Sequence, residues 1–254
     1  MLMADTPSFP AYSQPPLVEA LIDIQVGMRR DFDIASLPNV LVEQDAGVYG
    51  SKEPLVEVTF SFTGGSETST AASHDVVGFR FLNADRSRAL QIRRNGFAFS
   101  QMTPYPSGGW ASWSIEAERI WDLYAASTQP THVSRLSVRY INRVVVPEGA
   151  SAASSYFNAF PSMPESIGVV NGFMMQTEIT PASVPTARLR FTQATIENPE
   201  SPSGTTFLLD LEVYQTVDFK IDDPDIWGCL NQLHDIIRPS FQQVVGNRLE
   251  ASFR

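Results

Sequence analysis

Hydrophobic and polar residues alternate along most of this chain, and the clearest example is the central stretch 133–147. A period of two places successive side chains on opposite faces of a β-strand. In this stretch one face is mostly apolar, while the other carries Arg135, Arg139 and Arg143. The pattern predicts a long buried strand whose three arginines need partners, because an unpaired buried charge is costly.

The same alternation predicts strands over 17–26, 55–62, 76–83, 88–102, 172–180, 187–196 and 205–216. Helical or turn segments are expected at 31–41, 110–127, 151–160 and from Asp223-Pro224 onward. Pro239 is expected to kink the last helix or to separate it from 240–253. The Gly/Ser/Thr-rich stretch 63–74 is expected to form a mobile hairpin loop.

The order of the predicted elements repeats along the chain. Residues 17–127 give β-α-β-β-β-α, and residues 133–254 give the same order again. This repetition predicts an α+β fold in which two pseudo-repeats form a largely antiparallel sheet. The long helices are expected to pack together on one face of that sheet.

The segment between the two halves, 128–132, is short. We therefore expect 17–254 to form a single compact unit rather than two separate domains. Residues 1–16 contain four prolines and predict an extended N-terminal tail. This tail is expected to pack on the body of the protein through Phe9 and Tyr12.

Charged residues on the predicted strands have two interpretations. If the first strands of the two halves adjoin, Glu19 and Asp23 would pair with arginines of the central strand. Their expected partners are Arg139 and Arg143, which would make the arginine row structural. Otherwise the guanidinium groups would bind an anion or a partner, because arginine fits carboxylate and phosphate geometry. The candidate binding residues are Arg135, Arg139, Arg143, Asn142, Glu19 and Asp23.

A second set of ion pairs is expected in the second half of the chain. The strands 187–196 and 205–214 can form a hairpin with charged residues on one face and leucines on the other. The expected pairs are Arg190 with Asp210 and Arg188 with Glu212.

The overall charge and the single cysteine narrow the functional classes. The net charge is −10 and the isoelectric point is about 4.7, which disfavours nucleic acid as a partner. One cysteine, Cys229, permits no disulfide within the chain and fits a reducing compartment. The N-terminus lacks signal-peptide features, and no stretch has the ~20 apolar residues of a membrane span. These features predict a cytoplasmic protein that does not contact a membrane.

Motifs that bind metals or cofactors are absent from the sequence. His74, His132 and His234 are far apart, and there is no HExxH, CxxC or Gly-rich phosphate-binding loop. We therefore expect no metal site and no cofactor. The carboxylates on the predicted strands remain candidates for acid–base chemistry if two of them meet in a cleft.

Three short motifs together resemble a bacterial protein family. They are 15-PPLVEA-20 at the first strand, 139-RYINR-143 in the central strand, and Leu233-His234-Asp235 before a C-terminal segment with Phe241 and Phe253. The chain resembles a sporadically distributed family of about 250-residue bacterial proteins with no assigned function. The resemblance implies no catalytic residues. The patchy occurrence of such families suggests an accessory or defence-linked role.

The first functional hypothesis is a non-enzymatic interaction or ligand-binding protein. Its partner would be another protein or a small anionic ligand, and a homo-oligomer is compatible with the sequence. The alternative is an enzyme of an unfamiliar class that uses strand carboxylates and arginines in a cleft. The two hypotheses differ in whether Glu19 or Asp23 lies close to an unpaired partner.

Overall fold

Alternating residues form nine strands in the computed structural model, which describes residues 12–41, 48–63, 69–103, 105, 107–197 and 204–254. The strands are β1 (Leu17–Gly27), β2 (Ser51–Thr63), β3 (Ser69–Leu82), β4 (Arg88–Arg93), β5 (Gly96–Met102), β6 (His132–Val146), β7 (Met174–Ile179), β8 (Arg188–Ile196) and β9 (Thr205–Phe219). The α-helices are α1 (Gly109–Thr128), α2 (Asp225–Val244) and α3 (Asn247–Glu250). Short 3₁₀ helices cover Ile34–Leu41, Ala150–Ser155, Glu165–Ile167 and Ala251–Phe253. The α+β class predicted from the sequence is confirmed.

These strands form one antiparallel sheet in the order β2-β3-β4-β5-β1-β6-β9-β8-β7. β1 and β6 lie side by side at its centre, with Ile22 opposite Val138 and Ile24 opposite Leu136. All four side chains are completely buried. The large antiparallel sheet expected from the alternation is therefore confirmed, and its apolar centre is where the two halves of the chain meet.

Apolar residues at helical spacing hold the two long helices against one face of the sheet. On α1, Trp113 stacks on Phe99 with 6.0 Å between ring centroids, and Trp121 lies 6.1 Å from Phe97. On α2, Leu233 is completely buried. Burial of each such side chain stabilises the fold by about 1.5–3 kcal/mol. Among the helices that the structure describes, none is both long and apolar enough to cross a membrane.

The single strand predicted over 88–102 is wrong, because this stretch is a hairpin of β4 and β5. The chain turns at Arg94-Asn95, and Gly96 follows with a φ of +151°. A Cβ atom on Gly96 would lie 2.2 Å from the carbonyl oxygen of Ile24 on β1, so only glycine fits there. Because Arg93 pairs with Gly96, the glycine directly follows the two-residue loop, and it is a turn signal that the alternation on both sides conceals.

Two predicted connecting segments are shorter in the structure than in the prediction, the loop at 63–74 and the helix at 151–160. The hairpin predicted at 63–74 joins β2 to β3, but β3 already begins at Ser69. Residues 64–68 of that segment lie outside the described residues. The helix predicted over 151–160 is a 3₁₀ helix that ends at Ser155.

Pro239 does not separate the last helix from the residues that follow it, so that part of the prediction is wrong. α2 runs through Pro239 to Val244. Proline removes one hydrogen bond and crowds the preceding turn, but Ile237 and Phe241 are buried on either side of it. Their packing on the sheet holds both turns in one helix, and the following hydroxyl of Ser240 donates to Ile236 O at 2.7 Å.

The end of the N-terminal tail packs on the C-terminal end of the chain. The ring of Tyr12 lies edge-on to Phe253 with 5.4 Å between centroids. The backbone N–H of Gln14 donates to Phe253 O at 3.0 Å. The predicted contact through Tyr12 is confirmed, whereas Phe9 lies outside the described residues.

Candidate functional site

The sheet face opposite α1 and α2 carries the arginine row, and we call it the arginine face. Its charged residues include Asp23, Arg93, Arg135, Arg139, Arg143, Arg190, Asp210 and Glu212. Arg139 binds Asp210 with two hydrogen bonds, from Nε at 2.8 Å and from a terminal nitrogen at 2.5 Å. The hydrogen bond to Asp210 raises the pKa of Arg139 above its ordinary value. Such a two-pronged pair fixes the guanidinium in place.

Glu212 collects three donors at the centre of β9. Arg135 donates to it at 2.6 Å, Arg190 at 3.0 Å and the hydroxyl of Ser137 at 3.1 Å. Burial by itself raises the pKa of Glu212, but the hydrogen bond and charge of Arg135 outweigh burial, and the pKa lies below its ordinary value. Arg135 also stacks on the ring of Tyr214 at 4.1 Å. This network orders the arginine face.

The pairs predicted between the two central strands are wrong, although the strands do adjoin. Arg139 lies opposite Leu21 on β1, while Asp23 lies opposite Ser137. Asp23 instead accepts a hydrogen bond from Arg93 of β4, and Arg139 turns toward β9. The acidic partners of the row therefore come from the strand on its other side, β9, rather than from β1.

The pairs predicted between β8 and β9 lie on the correct face but in the wrong register. Arg190 is opposite Glu212, and Arg188 is opposite Tyr214. The register differs from the prediction by two residues, and a shift of two keeps every side chain on the same face. Arg190 therefore binds Glu212 rather than Asp210, while Arg188 donates to backbone carbonyls.

Arg143 is the exposed member of the row, at the end of β6. Its backbone N–H donates to Pro16 O at 2.9 Å. Among the described residues its guanidinium has no acidic partner. The other two arginines of the row, Arg135 and Arg139, form ion pairs with β9. These pairs mainly stabilise the sheet. Glu19 is half-buried on β1, and its charge acts on Arg139 at longer range.

Asn142 points to the other face of β6, where it lines a cavity of about 380 Å³. We call this space the aromatic cavity. Its walls come from the N-terminal segment, the loop before α1, the start of α1, and from β6 and α2. The lining residues are Tyr12, Pro15, Pro16, Leu17, Tyr105, Gly109, Trp110, Tyr140, Asn142, His234, Ile237, Arg238 and Phe241.

Three short sequence motifs, at 15–20, at 139–143 and at 233–235 with Phe241, meet at this cavity. Pro15, Pro16 and Leu17 come from the first motif. Tyr140 and Asn142 come from the second motif. His234 and Phe241 come from the third. Segments that are more than 90 residues apart in sequence thus contribute to one site.

Two tyrosine hydroxyls form the polar centre of the aromatic cavity. The hydroxyl oxygens of Tyr105 and Tyr140 are 3.0 Å apart, and either group can donate to the other. Burial raises the pKa of Tyr105 to about 12 and raises the pKa of Tyr140 well above its ordinary value. Both hydroxyls therefore stay protonated at neutral pH. Nearby, the amide of Asn142 donates to Leu209 O at 3.3 Å.

His234 forms one wall together with Trp110. The two rings are stacked, with 4.2 Å between centroids and 14° between planes. The indole N–H of Trp110 donates to Asn231 Oδ1 at 2.6 Å, which fixes the ring. Burial lowers the pKa of His234 below its ordinary value, and the nearby Asp235 opposes this shift. His234 is therefore a neutral imidazole at pH 7.

Because the pKa of His234 is lowered by folding, the protein should lose stability as the pH falls below about 6.5. In that range the unfolded chain takes up a proton that the folded chain does not accept. Above pH 7 both states are neutral and the effect disappears. Asp235 and Arg238 on α2 and Tyr140 on β6 also face this imidazole.

This pH dependence can be measured by thermal denaturation between pH 5.5 and 7.5. His234→Phe keeps a ring against Trp110 but cannot be protonated, so its melting temperature should vary less with pH than that of the wild type. Identical pH profiles for the two proteins would contradict the assignment of a buried neutral imidazole.

Several residues of the cavity were not singled out by the sequence as a functional set. Trp110 reads as a helix-packing residue, His234 as an isolated histidine, and Tyr105 lies in a loop. A useful signal was available in β6, where Tyr140 and Asn142 place polar groups on the otherwise apolar face. Of the predicted candidates, only Asn142 lines the aromatic cavity.

Comparisons with known proteins do not assign this chain to a family. No protein-family model matches it, and no curated protein matches it at a significant level. One solved structure, described as "KH domains", is 9% identical, and the match covers 93% of this chain and 64% of that one. Its TM-score is 0.22, so the similarity supports no argument about fold or function.

Proposed function

We propose that this protein is a non-enzymatic ligand-binding protein that holds a small organic molecule in the aromatic cavity. The observation that carries the proposal is the convergence of three separate chain segments on one cavity of about 380 Å³. This volume is within the range of small-molecule sites, which are about 300–1,000 Å³. Mostly aromatic and apolar walls with a few polar groups are typical of such sites.

The polar groups in the cavity are suited to orienting a ligand. Tyr105 and Tyr140 offer protonated hydroxyls, and neutral His234 offers a ring nitrogen. Hydrogen bonds within the site, such as that from Trp110 to Asn231, hold the rings before a ligand arrives. Preorganised side chains reduce the entropic cost of binding.

The alternative proposal, an enzyme that uses strand carboxylates, has less support. Asp23 is bonded to Arg93, Asp210 to Arg139, and Glu212 to two arginines. A general base must be available to accept a proton from substrate. Carboxylates that are held in ion pairs are poorly suited to that role.

We also propose that the two halves, 17–127 and 133–254, derive from a duplicated β-α-β-β-β-α unit. The first strands of the halves, β1 and β6, adjoin at the centre of the sheet, and the last strand of each half is followed by a long helix. The first half has an additional strand, because 88–102 divides into two. The aromatic cavity would then lie near the junction of the halves.

The test uses N-phenyl-1-naphthylamine, an uncharged aromatic dye whose fluorescence rises in apolar sites. Leu17 is a half-buried lining residue at the start of β1. In Leu17→Trp the larger side chain should fill part of the cavity and weaken dye binding at least about tenfold, as expected for a loss of roughly 1.4 kcal/mol.

The matched control is Val145→Trp, which adds the same side chain to the arginine face of β6. Val145 is 36% exposed there, so the new indole has room. Dye binding to this variant should match the wild type, and circular dichroism should verify that both variants are folded. Equal dye binding to Leu17→Trp and Val145→Trp would refute binding in the aromatic cavity.

A further inference from the structure

Charge is distributed unevenly around the aromatic cavity. Among its lining residues Arg238 is the one with a formal charge at neutral pH, since His234 is neutral and no Asp or Glu lines the site. The chain as a whole has a net charge of −10. The wall of the cavity therefore carries a positive charge although the whole chain is acidic. A positive local potential of this kind attracts an anionic ligand.

Arg238 is exposed on α2, and it lines the cavity together with Tyr12, Tyr140 and His234. Burial raises the pKa of Tyr12 and of Tyr140 and lowers the pKa of His234, and the positive charge of Arg238 is a smaller influence that acts to lower the pKa of each of the three groups. Two carboxylates contact lining residues without lining the cavity themselves: Glu250 accepts from the hydroxyl of Tyr12 at 3.3 Å, and Asp235 Oδ1 lies 3.3 Å from Nδ1 of His234. Among the described residues that line the cavity, Arg238 therefore supplies the positive charge.

The walls are made largely of flat rings. Trp110 stacks on His234, and it meets Trp113 edge-on with 5.5 Å between centroids. The ring centroids of Tyr105 and Tyr140 are 6.1 Å apart, and Pro16 adds an apolar surface. Planar aromatic ligands bind well between such rings, because offset-stacked and edge-on contacts add to the apolar burial.

We infer that the ligand of the aromatic cavity is a planar aromatic anion, with its ring between the aromatic walls and its carboxylate or sulfonate near Arg238. This inference rests on the proposed function and specifies the class of ligand. Arginine suits this role because its planar fork matches a carboxylate or sulfonate and keeps its charge at every physiological pH.

The test compares two dyes that share an aromatic skeleton. 8-Anilinonaphthalene-1-sulfonate carries a sulfonate, and N-phenyl-1-naphthylamine lacks it. Arg238→Gln should weaken binding of the sulfonate dye about tenfold or more and change binding of the neutral dye less than about twofold. The control is Arg143→Gln, which removes an exposed arginine from the arginine face and should leave both affinities unchanged.

Competition with two carboxylates tests the aromatic part of the inference. 1-Naphthoate should displace the sulfonate dye, whereas octanoate at the same concentration should not. More effective displacement by octanoate would overturn the assignment of an aromatic ligand in favour of an aliphatic one.

The outcomes separate this inference from the proposed function. If Leu17→Trp weakens both dyes but Arg238→Gln weakens neither, the cavity binds ligands and the anionic class is wrong. If Leu17→Trp leaves both dyes bound as in the wild type, the proposed function itself fails, and this inference fails with it.

Discussion

Replacing Glu212 by alanine should lower the free energy of unfolding by about 3 kcal/mol, the usual result of removing one partner from a buried ion pair. The change leaves Arg135 without its carboxylate, and the Arg135 side chain is only 16% exposed. It also removes the acceptor for Arg190 and Ser137. Urea denaturation would measure the loss, with the slope of the transition checked for two-state behaviour.

Glu178→Ala provides the matched control. Glu178 belongs to the same network, since it accepts a hydrogen bond from Tyr214 and lies 3.8 Å from Arg190. Its side chain is 51% exposed, so this change should cost less than about 1 kcal/mol. If Glu212→Ala were no more destabilising than Glu178→Ala, the arginine face would not be the ordered network described above.

The second large effect is expected at Trp113, whose ring packs against two residues that line the aromatic cavity. Its side chain is 1% exposed and touches Phe99, Tyr105 and Trp110. Trp113→Ala should lower the free energy of unfolding by about 4 kcal/mol, because it removes a large buried ring and leaves a void. It should also weaken dye binding, since Tyr105 and Trp110 lose the surface that positions them.

Trp113→Phe distinguishes the contribution of aromatic packing from the cost of the buried indole N–H, because phenylalanine keeps an aromatic ring but has no N–H. Among the described residues the indole Nε1 has no hydrogen-bond partner and is buried. A buried N–H without a partner costs about 1–3 kcal/mol, so losing it offsets part of the lost packing. Trp113→Phe should therefore cost about 1 kcal/mol or less. A loss as large as that of the alanine variant would contradict this explanation.

The sequence was sufficient to predict most strands and both long helices. β1 and β6 alternate clearly enough to identify each of their faces, and α1 has its apolar residues at helical spacing. The division of 88–102 was missed because apolar alternation continues on both sides of Asn95-Gly96. The turn signal there is the glycine that follows the loop, which periodicity alone does not reveal.

Strand register was beyond what the pattern can determine. A shift of two residues leaves each side chain on its original face, so alternation fits Arg190 opposite Asp210 as well as Arg190 opposite Glu212. The register between β1 and β6 is ambiguous in the same way. Alternation alone therefore does not determine which arginine of β6 lies opposite Asp23. Which carboxylate meets which arginine depends on β4 and β9, which lie far away in sequence.

The aromatic cavity was hidden for a different reason. Its residues come from five separate segments, and each segment supplies only one to four of them. Local patterns therefore suggested ordinary packing for Trp110 and an isolated role for His234. Each of three short motifs contributes residues to the site; they lie at 15–20, 139–143 and 233–235. Their proximity follows only from the pairing of β1 with β6 and from the packing of α2 on the sheet.

The most direct test of the central claim is a crystal structure of the protein with bound 8-anilinonaphthalene-1-sulfonate. We expect the naphthalene ring between Trp110 and Tyr140, with the sulfonate near the guanidinium of Arg238. A dye bound instead on the arginine face, with its sulfonate against Arg143, would contradict the assignment of the functional site to the aromatic cavity.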